Sequence, residues 1–387
     1  MLKDSLKGLF CVNTRINEMF YDAFGSHGHQ YLDLVRKFGA VDSIDDIQGL
    51  RELRSSVDEG QQFYTTNANA SNSLIYGIWE SMFAAHRTEP IYYSPAVEHG
   101  LIIHDQIYTD LRFTARAGLV TFGDYRYRQI RKYKNEPIYE VGPYIHYAQP
   151  YYDAERTAEL KKTNGKTLLV FPAHSVDTST ISQDENRYLD EVLRIADKGG
   201  FETVLVNAFW WNVNDPVIHK FESEGFKIVS AGFRDDVNFL PRLRTIMDLS
   251  DLIAGDSFGT HIGYALDRKV PFQFIDINTH GGSIDDKVDP HADENASLKE
   301  KLARAFLGAS EITKHQVDLL EPYWGFSKTK SREQIEDIYQ ITRRIVRESG
   351  MGGGWSRHFH ARACELLKEY ELTDKAKAEL LRQALRP

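Results

Sequence analysis

A chain of 387 residues, 42% hydrophobic and 27% charged, has room for two domains with substantial cores, which excludes a largely disordered polymer. The formal net charge of −9 argues against a general nucleic-acid binder. Cys11 and Cys364 are too few for a disulfide framework or a cysteine-rich metal site, and they fit a reducing compartment.

The opening stretch MLKDSLKGLFCVNTRINEMF mixes charges into its apolar pattern and lacks a signal-peptide core. No apolar run approaches the roughly 20 residues of a membrane span, so a cytoplasmic protein is expected. Mixed helix and strand follow. EPIYYSPAVEHG (89–100) reads as a strand and loop, AGLVTFG as a strand, YRYRQIRKYK as a basic helix, and PIYEVGPYI as a strand. This is the spacing of a parallel unit. The polar, proline-containing stretch 146–166 then precedes a fresh buried strand, which places a domain boundary inside it.

The second half alternates more cleanly. TLLVFPAHS, FETVLVNAF, KIVSAG and DLIAGD read as strands, separated by amphipathic helical patterns such as DENRYLDEVLRIADKGG. Such alternation means a doubly wound parallel sheet. Beyond residue 296 the pattern is helical, with SREQIEDIYQITRRIVRES its strongest segment and GMGGGW a hinge before the last helix. The expected fold is therefore α/β and GT-B-like, with two Rossmann-like domains facing across a cleft. Their expected bounds are 1–155 for an acceptor domain and 156–296 for a nucleotide-donor domain, with a helical extension over 297–387 packing back on both.

In sheets of this kind ligands lie outside the carboxyl ends of the strands, so the loops that follow strands hold the candidate residues. After the first-domain strand, Glu98 and His99 are candidates for a general base and its orienting partner. After TLLVFPAH come His174, Ser175, Asp177, Thr178, Ser179 and Thr180, a hydroxyl-rich loop suited to ribose or sugar hydroxyls. Trp210 and Trp211 are candidates for stacking on a base or sugar, or for plain packing. At the turn GDSFGTHIG, Asp256, Ser257, Thr260 and His261 stand where helix N–H groups and a positive dipole end can hold a phosphate. Ser257, Thr260 and His261 fall at i, i+3 and i+4, which would put Ser257 and His261 on one helix face; simple capping is the plainer alternative.

Between Arg112 and Lys134 lies a basic run interleaved with Tyr125, Tyr127 and Tyr133. It reads either as a solvated helix face or as a surface for a glycan, a lipid-linked phosphate or an anionic membrane, with Arg126 and Arg128 as acceptor contacts. The segment NTHGGSIDDKVDPHADEN gathers His280, Asp285, Asp286, Asp289, His291 and Asp293, but their spacing matches no metal-ligand pattern, so no metal is expected. No P-loop, GxGxxG fingerprint or nucleophile elbow is present.

The EHG after a strand, the later GP, and LSDLIAGDSFGTHIGYALDRKVPFQFID together resemble bacterial capsule and cell-wall polymer transferases, a group that includes CDP-glycerol glycerophosphotransferases and polysialyltransferases. The resemblance implies that His99 is a catalytic or acceptor-side histidine and that Asp256, Ser257 and Thr260 bind a donor phosphate. The chain departs from the family pattern in having SFGT where relatives have paired serines, and NAFWWN where several have His-Pro. The expected activity is transfer of a sugar from a nucleotide-activated donor to a glycan or lipid-linked glycan acceptor of a surface polysaccharide. No other cofactor is expected, and association with nucleic acid is not; peripheral contact with the membrane is. The alternatives are a CDP-polyol phosphotransferase and an inactive polysaccharide-binding scaffold.

Overall fold

The computed structural model describes residues 37, 39, 41–57, 75–89, 91–98, 100–103, 105, 107, 116–174, 179–182, 184–234, 236–277, 280–283, 292–349 and 356–387. They divide into two compact α/β units. The first takes its described residues from 63–147 and 321–387, the second from 33–62 and 148–320.

The first unit is built on three short parallel strands in the order β1-β2-β3, namely β1 (Ala96–Val97), β2 (Leu119–Thr121) and β3 (Ile138–Glu140). All eight strand residues are buried, as parallel strands covered on both faces must be. The crossover between β2 and β3 is α3 (Asp124–Arg131), the expected basic helix, whose Tyr127 and Ile130 pack with Ala96, Leu119 and Ile138. Ahead of it among the described residues lie α1 (Ile47–Ser55) in the second unit and α2 (Ile78–Phe83) in the first.

Two or three residues per strand bury little, and the first unit completes its core with the end of the chain. Helices α11 (Arg332–Glu348), α12 (Ser356–Thr373) and α13 (Lys375–Ala384) form one cluster in which Ile341, Ile345, Phe359, Leu366 and Leu381 meet Ala117. The C-terminal helices are thus part of the first unit from Glu321 onward, where the sequence had suggested an extension over both domains. The reason is the apolar stripe of α11, Ile335 to Val346, which needs a partner surface and finds it here. Its start is fixed by a capping box: the Ser331 hydroxyl accepts from Gln334 N, and the Gln334 side chain accepts from Ser331 N.

The second unit holds the larger sheet, five parallel strands in the order β7-β6-β4-β8-β9. These are β4 (Thr167–Phe171), β6 (Thr203–Asn207), β7 (Lys227–Val229), β8 (Leu252–Gly255) and β9 (Phe272–Phe274). Helix α4 (Ala154–Asn164) leads into β4, and α5 (Glu185–Gly199), α6 (Pro216–Ser223), α7 (Phe239–Asp248) and α8 (Thr260–Asp267) make the crossovers. Two further helices, α9 (Ala292–Phe306) and α10 (Lys314–Trp324), carry the chain back to the first unit. The strands read as apolar runs because both faces are covered; the helices read as amphipathic because one face is not.

The segment after α10 lies directly on the carboxyl ends of β2 and β3. A Cβ on Gly142, whose φ is +73°, would stand 2.8 Å from Gly325 O, and one on Gly123 would stand 2.9 Å from Gly325 N. Gly142→Ala should therefore add backbone overlap to left-handed strain and lower stability by roughly 2–4 kcal/mol in urea denaturation. Gly200→Ala, at a φ of +61° with nothing within 4 Å, should lose only about 1–2 kcal/mol. Equal losses would mean that the close approach is not maintained.

Candidate functional site at the carboxyl edge of the second sheet

Counting β4, β6, β7, β8 and β9 as first to fifth, the second sheet runs 3-2-1-4-5. The order reverses between β4 and β8, and the crevice outside the carboxyl ends at such a reversal is where doubly wound sheets bind ligands. The loop after β4 brings Ala173 and His174 there; the loop after β8 brings Asp256, Ser257, Thr260 and His261.

Asp256 ties the two loops together. Its buried carboxylate accepts the Ala173 N–H at 2.7 Å and neighbours the Tyr188 phenol, which burial and Asp256 together hold in its protonated form. Tyr188 Oη lies 3.3 Å from Phe171 O. The geometry makes Asp256 the strut of the crevice, at the place where the sequence suggested a phosphate ligand.

Ser257 also sits differently from the sequence expectation. Helix α8 begins at Thr260, with Gly259 as an extended N-cap, so Ser257 lies in the bend before the helix and shares no helical face with His261. As a glycine, this N-cap has no side chain of its own to cap the helix. The Ser257 and Thr260 side chains are half-buried beside this helix start.

His261 stacks on Phe171 with ring centroids 5.0 Å apart and an 11° angle, and its buried Nε2 has no hydrogen-bond partner among the described residues. Desolvation, reinforced by neighbouring His174, pushes its pKa down to about 3 against a backbone hydrogen bond at Ser257. His174 stacks on Phe209 at 4.4 Å, and desolvation lowers its pKa as well, although part of its surface is open to solvent. Both imidazoles are therefore neutral at pH 7 and offer hydrogen bonds without charge.

Of the two tryptophans, Trp210 is buried against Phe233, and Arg54 covers the Trp211 ring at 3.6 Å. Both belong to packing. The aromatic ring beside His174 is Phe209, one residue earlier in the same loop and passed over in the sequence because two tryptophans stood next to it. Sequence reasoning also missed Asn207, a polar residue ending an apolar strand, whose buried Oδ1 has no hydrogen-bond partner among the described residues. A third omission is Arg187, an exposed cation on α5 that donates to Asp276 O, just beyond β9, at 3.2 Å. Nothing local in its sequence marks it.

Two loops singled out separately are joined by an antiparallel ribbon, in which β5 (Ser179–Ser182) pairs with β10 (His280–Ser283), Thr180 opposite Gly282. Ser175, Asp177, Thr178, Asp285, Asp286, Asp289 and His291 lie outside the described residues, as does His99. Among the described residues no group of three His, Cys, Asp or Glu could hold a metal ion, and no helix is long and apolar enough to cross a membrane.

In the first unit, Glu98 closes β1 but is fully engaged. It is 3% exposed; its Oε1 accepts from Arg126 Nη2 at 2.5 Å and Nε at 3.0 Å, and its Oε2 from Thr121 Oγ1 at 2.6 Å. Arg126, 0% exposed, is likewise unable to meet an acceptor. Arg128 is exposed and paired with Asp124 at 2.9 Å. The basic run of the sequence is thus largely consumed inside the fold: Arg131 serves the carbonyls of Lys134, Glu136 and Ala384.

No family model matches the sequence, and no curated protein matches it. Among solved structures, a UDP-GlcNAc 2-epimerase from Neisseria meningitidis bound to UDP-GlcNAc is similar at 11% identity and a TM-score of 0.35, over 83% of this chain and 90% of that one. A Glycyrrhiza uralensis UGT complexed with glycyrrhetinic acid 3-O-monoglucuronide is similar at 9% identity and a TM-score of 0.28, over 88% and 73%. The α/β assignment rests on the strand orders themselves.

Two outcomes follow from the site. Glu98→Gln should leave Arg126 buried and uncompensated, lowering stability by about 3–5 kcal/mol in chemical denaturation; unchanged stability would return Glu98 to the pool of free bases. His261, neutral when folded and with an ordinary pKa of 6.5 when unfolded, contributes stability that is present above pH 6.5 and lost as pH falls toward 3. Between pH 7 and 5 the loss should reach up to about 2 kcal/mol, and His261→Leu should remove it. An identical pH slope in that variant would show that the ring is not desolvated.

Proposed function

We propose that the second unit binds the diphosphate of a nucleotide-activated sugar at the reversal between β4 and β8, and that the protein transfers that sugar to a glycan or lipid-linked glycan acceptor. The observation that carries this reading is the start of α8, which has no side-chain cap, lies at the switch point of a 3-2-1-4-5 sheet, and is bordered by the Ser257 and Thr260 hydroxyls. Helix N–H groups and the dipole stabilise a phosphate there, and hydroxyls complete its hydrogen bonds. Phe209 and His174 supply flat surfaces beside it for a base or sugar ring.

In this reading the developing negative charge of the leaving nucleotide is stabilised by fixed dipoles without a resident metal. The neutral His174 and His261 donate or accept hydrogen bonds near that charge, and Arg187 is the nearby cation on α5. With Glu98 held by Arg126 and Thr121, the base that deprotonates the acceptor hydroxyl is assigned to His99. The role in surface-polysaccharide synthesis, a cytoplasmic location and peripheral membrane association belong to the same proposal.

Calorimetric titration with nucleoside diphosphates tests the donor site. Ser257→Ala combined with Thr260→Ala should weaken binding by roughly 1–3 kcal/mol while leaving the thermal midpoint nearly unchanged. Undiminished affinity would reduce the α8 bend to an ordinary turn, and nucleotide binding without donor turnover would favour a binding scaffold over a transferase.

A further inference from the structure

The carboxyl end of β3, in the first unit, carries a charged cluster that the donor site does not use. Glu140, the last residue of the strand, is 6% exposed; Arg386 Nη1 meets its Oε2 at 2.8 Å, and Lys328 Nζ approaches its Oε1 to 3.9 Å. Arg386 also contacts Asp124 at 2.8 Å, the carboxylate that holds Arg128. Lys330 completes the group. Its backbone N donates to Tyr147 Oη at 2.9 Å, but its half-buried ammonium has no hydrogen bond or ion pair among the described residues.

Four cations therefore stand against two carboxylates. Burial lowers the Lys330 pKa, and Lys328 and Arg386 push it the same way against the opposing pull of Glu140. The flexible part of this arrangement has been removed by the fold: Lys328 N donates to Gly325 O at 2.8 Å, and Gly325 packs on the backbone at Gly123 and Gly142. A half-buried ammonium kept beside two other cations lowers its free energy by taking up an anion, and a surplus of two positive charges suits a phosphate dianion better than a single carboxylate. Arg386 is held by Glu140, Asp124 and the face of Tyr127 and contributes its charge, while the two lysines supply the point charges that can meet phosphate oxygens.

We propose that Lys328, Lys330 and Arg386 form an anion site at the carboxyl end of β3 that binds the phosphate group of a phosphorylated ligand. The ligand is a soluble phosphate ester or a lipid headgroup; the recognising chemistry is the same for both. The proposal goes beyond the donor site and does not rest on it.

Calorimetric titration of the full chain with inorganic pyrophosphate, and flotation with phosphatidylcholine vesicles with or without phosphatidic acid, test it. Lys330→Gln and Lys328→Gln should each weaken the binding about tenfold, whereas Lys330→Arg should retain most of it. Lysine-dependent pyrophosphate binding identifies a soluble ligand, and lysine-dependent retention on phosphatidic acid vesicles identifies a headgroup. A response confined to Ser257→Ala with Thr260→Ala would place all binding in the second unit and overturn the proposal. So would absence of binding in both arms, wild-type affinity in both glutamine variants, or the same loss in Lys330→Arg as in Lys330→Gln.

Discussion

The hydrogen bond from Ala173 N to the Asp256 carboxylate is the constraint on which the second unit's carboxyl edge depends. At the point where strand order reverses, the connections after β4 and β8 leave the sheet in different directions, and nothing in the ladder between Phe171 and Gly255 obliges the loops beyond to stay together. A buried carboxylate must be satisfied, and here satisfying it closes the gap between the two loops. Tyr188 on α5 packs into the same arrangement, so strand, loop and helix share one fixed point. The bend that follows, with its half-buried hydroxyls, inherits its position from that point.

The sheets and most helices were legible because their physics is local. Fully covered parallel strands give unbroken apolar runs such as TLLVF, and amphipathic helices give stripes such as Ile335 to Val346. Starts and stops were legible where caps are chemical, as at Asp184 before α5. Site residues were legible only by type and place in a loop. Sequence shows a Glu and an Arg near one edge, but not that Glu98 and Arg126, 28 positions apart, neutralise each other. Nor does it show that Asp256 finds a backbone amide 83 positions away.

The tryptophan and serine misreadings have the same origin. Trp210 and Trp211 draw attention by size, yet Trp210 is spent in the interior and Trp211 lies under Arg54, while the smaller Phe209 stands beside His174. Ser257 looked helical because periodicity takes no account of backbone direction, and the extended Gly259 sets the helix start at Thr260, three residues after Ser257. For the tryptophans tertiary contacts decided what the local pattern left open, and for Ser257 the backbone at Gly259 did.

The first unit takes its described residues from two stretches of chain, with 148–320 of the second unit between them. Its three strands emerge from the ribosome long before α11, α12 and α13, on which their core depends. Residues 148–320 place the whole second sheet within one continuous stretch, so its contacts close over shorter loops and at lower entropic cost. During synthesis the second unit is therefore the natural first folder. Until α11, α12 and α13 follow, the strands of the first unit have only part of their cover, that from α3. That interval leaves apolar surface of the nascent chain open to water, the condition under which misassociation competes with folding.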